Sequence, residues 1–195
     1  MYRPRISNLI FSLLLTLLTL VFTVVIIPLL LLIAFIIFFV DGSPIFFKQD
    51  RIGKNNKIFK MYKFRTMVND VGNIPKSEFK NPKEFITITG HFLRKYSLDE
   101  LPQLLNIFNG SMKLIGYRPC LPNELDVLKE REEFLISHYR PGITGWAQVN
   151  GRDNLTVQSK VYYDAFYYKN HSIYLDIKII VRTILLVILK KDVSH

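Results

Sequence analysis

Cysteine and acidic residues are scarce in this sequence. The single cysteine, Cys120, cannot form an intrachain disulfide, which excludes a disulfide scaffold and makes a reducing compartment the simpler expectation. The 195 residues include 26 lysines and arginines but 16 acidic residues, a formal net charge of +10. Long blocks of lysine and arginine and zinc-finger or RNA-binding motifs are absent, so no nucleic-acid partner is expected. The positive charge fits an anionic membrane surface or an anionic substrate.

Charged residues are missing altogether from Leu9 to Val40, a run of 32 residues. As a helix this run would be about 48 Å long, whereas a bilayer core is about 30 Å thick. We therefore expect residues 1–40 to be inserted in a membrane and residues 41–195 to form the membrane-associated domain that follows. Pro28 should break or kink the helix, because proline lacks the amide hydrogen and clashes with the preceding turn.

Two topologies are open for this helix. It can span the bilayer with a tilt, or it can enter, break near Pro28 and return to its side of entry. Basic residues lie on both sides of the run, at Arg3 and Arg5 before it and at Lys48 and Arg51 after it. Because basic residues favour the cytoplasmic side, this distribution fits a re-entrant helix with both ends in the cytoplasm.

The remaining residues predict an α+β domain that is mostly helical. Residues 45–49 and 58–65 are expected to form a small β-hairpin, and residues 141–154, with three glycines and Trp146, an irregular loop. In the predicted helix 123–139, Leu125 and Leu135 share an apolar stripe. Helices are also expected at 91–96, from Asp99 to 109, at 156–169 and at 174–191. The last of these favours an amphipathic helix at the membrane surface, with a buried terminal helix as the alternative.

The acidic pair Asp99-Glu100 has two interpretations. As an N-cap, Asp99 would put Pro102 in the first helical turn, where amide groups have no helical partner. Alternatively, a helix start is a natural phosphate site, where one carboxylate can attack phosphorus and the other can hold Mg²⁺. The two roles are compatible, and the residues alone leave both open.

Cations are needed near a carboxylate that attacks a charged phosphate. Alternation along the second strand puts Lys63 and Arg65 on one face, where they could hold two successive phosphates. Planar guanidinium donors suited to phosphate follow at Arg94, Arg118, Arg140 and Arg152. For each of these residues taken alone, the alternative is an exposed surface charge.

Four sequence blocks occur in one order and make the chain recognisable. They are KFRTM at 63–67, SLDELPQL at 97–104, LIGYRP at 114–119 and RPGITGWAQVNGR at 140–152. With these blocks the chain closely resembles the bacterial sugar transferase family, the small monotopic phosphoglycosyl transferases. The resemblance covers nearly the whole chain.

The resemblance implies a reaction and its residues. Such enzymes transfer a sugar-1-phosphate from a UDP-sugar to a polyprenyl phosphate such as undecaprenyl phosphate, and release UMP. The resemblance implies Asp99 as the nucleophile of a covalent aspartyl-phosphosugar intermediate and Glu100 as the residue that serves Mg²⁺. It matches Arg94 and Arg118 with arginines of the family site, and Asp164 with an aspartate of that site.

The resemblance also implies a place in the cell. It predicts a re-entrant membrane helix and a catalytic domain on the cytoplasmic face of the bacterial inner membrane. The product would start a surface glycan (exopolysaccharide, capsule, O-antigen or glycoprotein glycan). Later glycosyl transferases of the same pathway are then the expected protein partners.

Two positions depart from the family pattern. Tyr117 stands where the first proline of Pro-Arg-Pro is usual, which bears on how Arg118 is aimed. Ile27 stands where a serine usually precedes Pro28, and Thr23, one turn earlier, is the candidate substitute for that serine.

Two rival interpretations are kept. In the first, the lipid phosphate attacks the UDP-sugar directly and Asp99 acts only as a base. In the second, the chain is a non-catalytic basic membrane scaffold that binds anionic lipid or partner proteins and tolerates loss of Asp99. The grouping of the charged residues in motif blocks favours an enzyme over a scaffold.

Overall fold

The structure is a computed structural model that describes residues 6–68, 82–151 and 154–189. It is mostly helical with two small two-stranded sheets, so the predicted mostly helical α+β fold is confirmed. The helices are α1 (Ile6–Val40), α2 (Ile88–Lys95), α3 (Leu104–Phe108), α4 (Leu125–Glu133), α5 (Trp146–Val149), α6 (Val157–Lys169) and α7 (Ile173–Leu189). The strands are β1 (Phe46–Ile52), β2 (Ile58–Phe64), β3 (Lys113–Ile115) and β4 (Gly142–Thr144). Short 3₁₀ helices lie at Lys54–Asn56, Pro82–Phe85, Leu98–Gln103 and Ile136–His138.

Helix α1 is continuous, with Pro28 inside it. Among the described residues it is the one helix that is long and apolar enough to cross a membrane. Helical structure is uninterrupted at Pro28, and the kink and re-entrant path predicted there stay predictions. Proline removes a single helical hydrogen bond, and residues on both sides of Pro28 pack on the domain, Ile26 against α3 and Ile33 against Phe64. Both halves of α1 therefore lie against the domain.

Contacts of α1 with the domain extend over most of its length. Leu15 packs against the buried cluster that contains Ile115 and Ile179, and Ile37 is fully buried in a cluster with Phe64 and Leu93. Between them, the hydroxyl of Thr23 donates to the carbonyl of Thr19 at 2.7 Å. Thr23 therefore does not serve the carbonyl that Pro28 leaves without a helical partner, and its predicted role as a substitute for serine is wrong.

Strands β1 and β2 form the predicted hairpin, antiparallel, with Phe46 opposite Phe64. Two residues of the connecting turn, Asn55 and Asn56, have positive φ angles of 54° and 57°, a conformation that asparagine adopts more readily than most residues. Because β2 ends at Phe64, Arg65 lies just beyond the strand.

A second sheet lies where the sequence predicted an irregular loop. Strands β3 and β4 pair in parallel, with Ile115 opposite Thr144. The two segments run so close together that a methyl group at Gly145 would overlap the carbonyl oxygen of Gly116. The loop prediction for 141–154 is therefore wrong at β4 and α5, because a three-residue strand is too short to show an alternating pattern.

Helix α4 is shorter than the predicted helix 123–139. Leu125 and Leu135, which were predicted to share an apolar stripe, are exposed, whereas Val127 and Arg131 are buried. The chain leaves the helix at Phe134 and forms a separate 3₁₀ turn. The buried arginine has a role in the site described below.

Helix α7 has one buried face and one exposed apolar face. Leu175, Asp176 and Ile179 are buried. The exposed face carries Ile177, Val181, Ile184, Leu185 and Ile188. The apolar exposed face agrees with the predicted membrane-facing helix, and its place at a membrane surface stays a prediction.

Candidate active site

Asp99 lies in the first turn of the 3₁₀ helix Leu98–Gln103, after Ser97 in a left-handed conformation with φ of 54°. Asp99 is 6% exposed, and its Oδ1 atom has no hydrogen-bond partner. Burial raises the pKa of Asp99 to about 6, although the positive charges of Lys63 and Arg94 oppose this rise. A carboxyl with this pKa is still ionised at neutral pH.

The capping role predicted for Asp99 is wrong. The 3₁₀ helix begins one residue earlier, at Leu98, and the residue before it, Ser97, makes no side-chain cap. An N-cap residue precedes the first helical residue, whereas Asp99 lies inside the helix, and its Oδ1 has no partner. The carboxylate thus has an oxygen that no described residue binds.

Glu100 forms an ion pair with Lys63. The Nζ atom of Lys63 lies 2.7 Å from Oε1 of Glu100, and the two side chains are 19% and 17% exposed. Strand β2 packs against the 3₁₀ helix that carries Glu100, so the β-hairpin places Lys63 beside the acidic pair. Since water has little access, this attraction is screened less than that of a surface pair.

Arg94 approaches the acidic pair from α2. Its Nε donates to the hydroxyl of Thr66 at 2.9 Å, which fixes the direction of the guanidinium. Burial lowers the pKa of Arg94, and the negative charge of Asp99 opposes the decrease. Two cations, Arg94 and Lys63, therefore act on the buried carboxylate from different elements.

Arg65 is placed differently from its prediction. It is buried, and its guanidinium donates to the carbonyls of Asp41, Gly42 and Ser43 at 2.6, 2.7 and 2.9 Å. These carbonyls follow the end of α1, where helical carbonyls lack partners. The structure thus uses Arg65 to hold the junction of α1 with the domain, which does not support a shared phosphate site with Lys63.

Arg118 and Asp164 are connected through Arg131. Nη2 of Arg131 donates to the Arg118 carbonyl at 2.8 Å and lies 3.2 Å from Oδ2 of Asp164. Its guanidinium also lies 4.4 Å from the centre of the Tyr117 ring. Burial raises the pKa of Asp164 to about 6 against the attraction of Arg131. Asp164 is 2% exposed, so it supports the backbone at Arg118 from inside the domain.

The last two predicted arginines are not brought to the acidic pair by any described contact. Arg140 is exposed and lies near Lys113, where its charge contributes to lowering the pKa of that lysine, after burial. Its carbonyl accepts a hydrogen bond from Tyr168 at 3.4 Å. Arg152 lies outside the described residues.

Comparison with known proteins agrees with the motif blocks. The sequence profile of the bacterial sugar transferases matches residues 5–190. The chain belongs to this family. It is 41% identical over 157 residues to the uncharacterized sugar transferase EpsL of Bacillus subtilis, covering 79% of this chain and 75% of that protein. The resemblance seen in the sequence and the predicted enzyme class, a phosphoglycosyl transferase, are confirmed at the family level.

Two longer relatives have names that state a reaction. An undecaprenyl-phosphate galactose phosphotransferase of Salmonella typhimurium is 36% identical over 170 residues, which cover 80% of this chain and 35% of that protein. A UDP-glucose:undecaprenyl-phosphate glucose-1-phosphate transferase of Xanthomonas campestris is 42% identical over 153 residues, covering 72% and 31%. The chain spans about a third of the length of these two proteins.

Two residues of this sugar transferase site were missed by sequence reasoning. Arg131 resembled a surface charge on a polar helix, and only its spacing from buried Val127 could have indicated an inward position. Arg51 was noted as a flanking charge, yet its guanidinium donates to Gln49 at 2.7 Å and to the Pro119 carbonyl at 3.3 Å. Arg51 therefore braces the residue that follows Arg118.

The acidic pair fits a magnesium ion by its chemistry. Mg²⁺ takes oxygen ligands and is usually held by one or two carboxylates together with substrate phosphates. Asp99 offers a buried oxygen without a partner, and Glu100 is the adjacent carboxylate. Among the described residues no group of three or more His, Cys, Asp and Glu side chains could hold a metal by itself. The donor set therefore suits an ion that arrives with its phosphate substrate.

Proposed function

We propose that this sugar transferase moves a sugar-1-phosphate from a UDP-sugar to a polyprenyl phosphate and releases UMP. The observation that carries the proposal is the buried carboxylate of Asp99, with a partner-free oxygen, between the Glu100–Lys63 ion pair and Arg94. The names of the relatives from Salmonella and Xanthomonas describe such transfers to undecaprenyl phosphate, and other relatives are named for exopolysaccharide production.

In the first step, an oxygen of Asp99 attacks the phosphorus that carries the sugar. The bond from this phosphorus to the UMP oxygen breaks, UMP leaves, and the sugar phosphate stays bound to the carboxylate as an acyl phosphate. The pKa of about 6 for Asp99 supports this role, because the carboxylate is ionised at neutral pH and is more basic than an exposed one.

In the second step, a phosphate oxygen of the polyprenyl phosphate attacks the same phosphorus. The bond to Asp99 breaks and its carboxylate is restored, which leaves a polyprenyl-diphosphate sugar. Lys63 and Arg94 would hold the phosphate oxygens during both steps. Glu100, with Asp99, would hold Mg²⁺, which when bound neutralises phosphate charge.

Arg118 is proposed to bind the nucleotide phosphates. Its backbone carbonyl is held by Arg131, and the next residue is held by Arg51. These contacts hold the backbone at Arg118 and do not use the donors of its guanidinium. Roles for Arg140 and Arg152 in binding substrate stay predictions.

The membrane arrangement is also part of the proposal. Residues from Leu15 to Ile37 of α1 pack against the domain, which favours a helix that returns to, or lies along, the cytoplasmic face over one that leaves the domain as a free span. We expect both ends of α1 on the cytoplasmic side of the inner membrane. A cysteine introduced by Arg3→Cys should resist labelling by an impermeant reagent added outside intact cells. Labelling at this position while the domain stays protected would contradict the arrangement.

The test of the chemistry is the half-reaction without lipid. With the correct UDP-sugar and Mg²⁺, the protein should release at most one UMP per site, gain the mass of one sugar phosphate, and lose it when undecaprenyl phosphate is added. Asp99→Asn should abolish the adduct, whereas the matched change Asp126→Asn on exposed α4 should keep it. UMP release only after lipid addition, with no adduct, would favour direct transfer. Full turnover by Asp99→Asn would refute the catalytic role of Asp99, whereas a wild-type protein without any turnover would favour a scaffold.

A further inference from the structure

An apolar cavity of about 230 Å³ lies beside the acidic pair. Helices α1 and α7 form two of its sides, and the 3₁₀ helix that carries Glu100 forms a third. The apolar lining residues include Phe22, Leu101, Leu104, Ile143, Leu186 and Val187. The cavity therefore lies between α1, α7 and Glu100 of the acidic pair.

Five polar side chains line this cavity, and its other lining residues are apolar. The five are Ser97, Glu100, Thr144, Gln148 and Thr183. Glu100 is the one charged side chain among its lining residues, and it brings the positive charge of Lys63 with it. Thr144 and Thr183 share a hydrogen bond of 2.7 Å, and Thr183 donates to a backbone carbonyl at 2.8 Å. Gln148 donates to the Ile143 carbonyl at 2.7 Å, and its Oε1 has no partner among the described residues. The rest of the wall is hydrocarbon, which suits an isoprenoid chain better than a sugar or a nucleotide.

We infer that this cavity holds the first isoprene units of the polyprenyl acceptor, with the lipid phosphate directed to Lys63, the cation beside Glu100. The inference rests on the proposed function. The volume is below the roughly 300–1,000 Å³ of a site that encloses a whole small ligand, so only the head of a long chain fits. The rest of the chain would leave the cavity and continue into the bilayer.

Two neighbouring leucines on α7 provide a matched test. Leu186 lines the cavity, whereas Leu185 is exposed. Leu186→Trp should fill the cavity and reduce turnover with undecaprenyl phosphate by about tenfold or more, mainly through a higher KM for the lipid. UMP release without lipid, in a single turnover, should stay within about twofold. Leu185→Trp should leave both measurements near those of the wild type.

Equal effects of the two tryptophans on lipid-dependent turnover would overturn the inference. So would an equal loss in the lipid-free half-reaction of Leu186→Trp, because the cavity would then serve the nucleotide sugar. A wild-type protein that never releases UMP would refute the proposed transfer itself, and the inference with it. These results are distinct, since the wild-type half-reaction is measured first.

A milder substitution keeps the inference testable if the tryptophan variant does not fold. The native Cys120 is 4% exposed, so a single introduced cysteine can be followed with a membrane-permeable maleimide. Undecaprenyl phosphate should slow modification of Leu186→Cys but not of Leu185→Cys. Phosphatidic acid at the same concentration should protect neither. Equal protection by both lipids would identify a general acyl-chain site and would overturn the assignment to the acceptor.

Discussion

Replacing Asp99 by asparagine is expected to abolish turnover and at the same time to stabilise the fold. The ionised carboxylate is buried, and one of its oxygens has no partner. Burial therefore costs more free energy than the attraction of Lys63 and Arg94 returns, which is why the pKa of Asp99 rises from 3.8 to about 6. Asparagine keeps the shape and removes the charge.

The size of the effect follows from the pKa. An acid with a higher pKa in the folded state binds its proton more tightly there, so the fold loses stability as pH rises from about 4 to about 6. Each unit of difference between the folded and unfolded pKa corresponds to about 1.4 kcal/mol. Burial of ionised Asp99 therefore lowers the free energy of unfolding by about 3 kcal/mol above about pH 7. At about pH 5 the folded state is still largely protonated, and the loss is about half as large.

Thermal unfolding in detergent, without nucleotide or Mg²⁺, measures this prediction. For a chain of this length, about 3 kcal/mol raises the Tm by about 6–12 °C. The gain of Asp99→Asn should be largest above about pH 7 and clearly smaller near pH 5. The same change at exposed Asp126, in the first turn of α4, should have a small effect of opposite sign, because a carboxylate favours a helix start. An Asp99→Asn protein that is no more stable than the wild type at either pH would refute the reasoning.

Three further predictions concern the cations. Turnover should rise with pH through about 6, since the ionised form of Asp99 is the nucleophile. Lys63→Met should move this rise to higher pH, because Lys63 lowers the pKa of Asp99. Initial rates of UMP release between about pH 5 and 8 test both expectations. Arg65→Met should lower the free energy of unfolding by about 3 kcal/mol or more, since three carbonyls at the end of α1 lose a charged donor. Arg131→Met should lower it by about 3–5 kcal/mol by leaving Asp164 buried without its partner, as measured by denaturant unfolding.

Exposed neighbours supply the controls for these variants. Lys60→Met changes an exposed lysine on the same strand as Lys63, and should leave the pH profile in place. Lys129→Met changes an exposed residue of α4, and should change stability by no more than about 0.5 kcal/mol. A pH profile that is flat near 6, or an Arg131→Met protein as stable as Lys129→Met, would contradict the respective argument.

The core of the site was predictable from the sequence because its residues belong to short motifs. Asp99 and Glu100 are adjacent, and alternation along β2 indicated which residues share a face with Lys63. The structure brings this lysine and Arg94 to the acidic pair. The alternating pattern did not indicate where strand β2 ends. Since β2 stops at Phe64, Arg65 turns to α1, although its spacing suggested a second phosphate ligand.

The less predictable parts depend on contacts between distant segments. Buried Arg131 lies on a polar helix, and its role depends on Asp164, which is 33 residues away in the chain. The parallel pairing of β3 with β4 joins segments of three residues each. Nothing in either segment alone indicates a strand, and the close approach that requires Gly116 and Gly145 becomes visible only when both are in place.

The block from Lys63 to Thr66 shows why such motifs combine structural and chemical residues. Lys63 binds Glu100, and Phe64 packs on the apolar helix α1. Arg65 binds the carbonyls where α1 ends, and Thr66 orients the guanidinium on α2. These four consecutive residues thus connect α1 with Lys63 and Arg94, the two cations near Asp99. A shift of α1 in the membrane would be transmitted to Lys63 through one strand end, so we expect loss of the Arg65 contacts to lower turnover as well as stability.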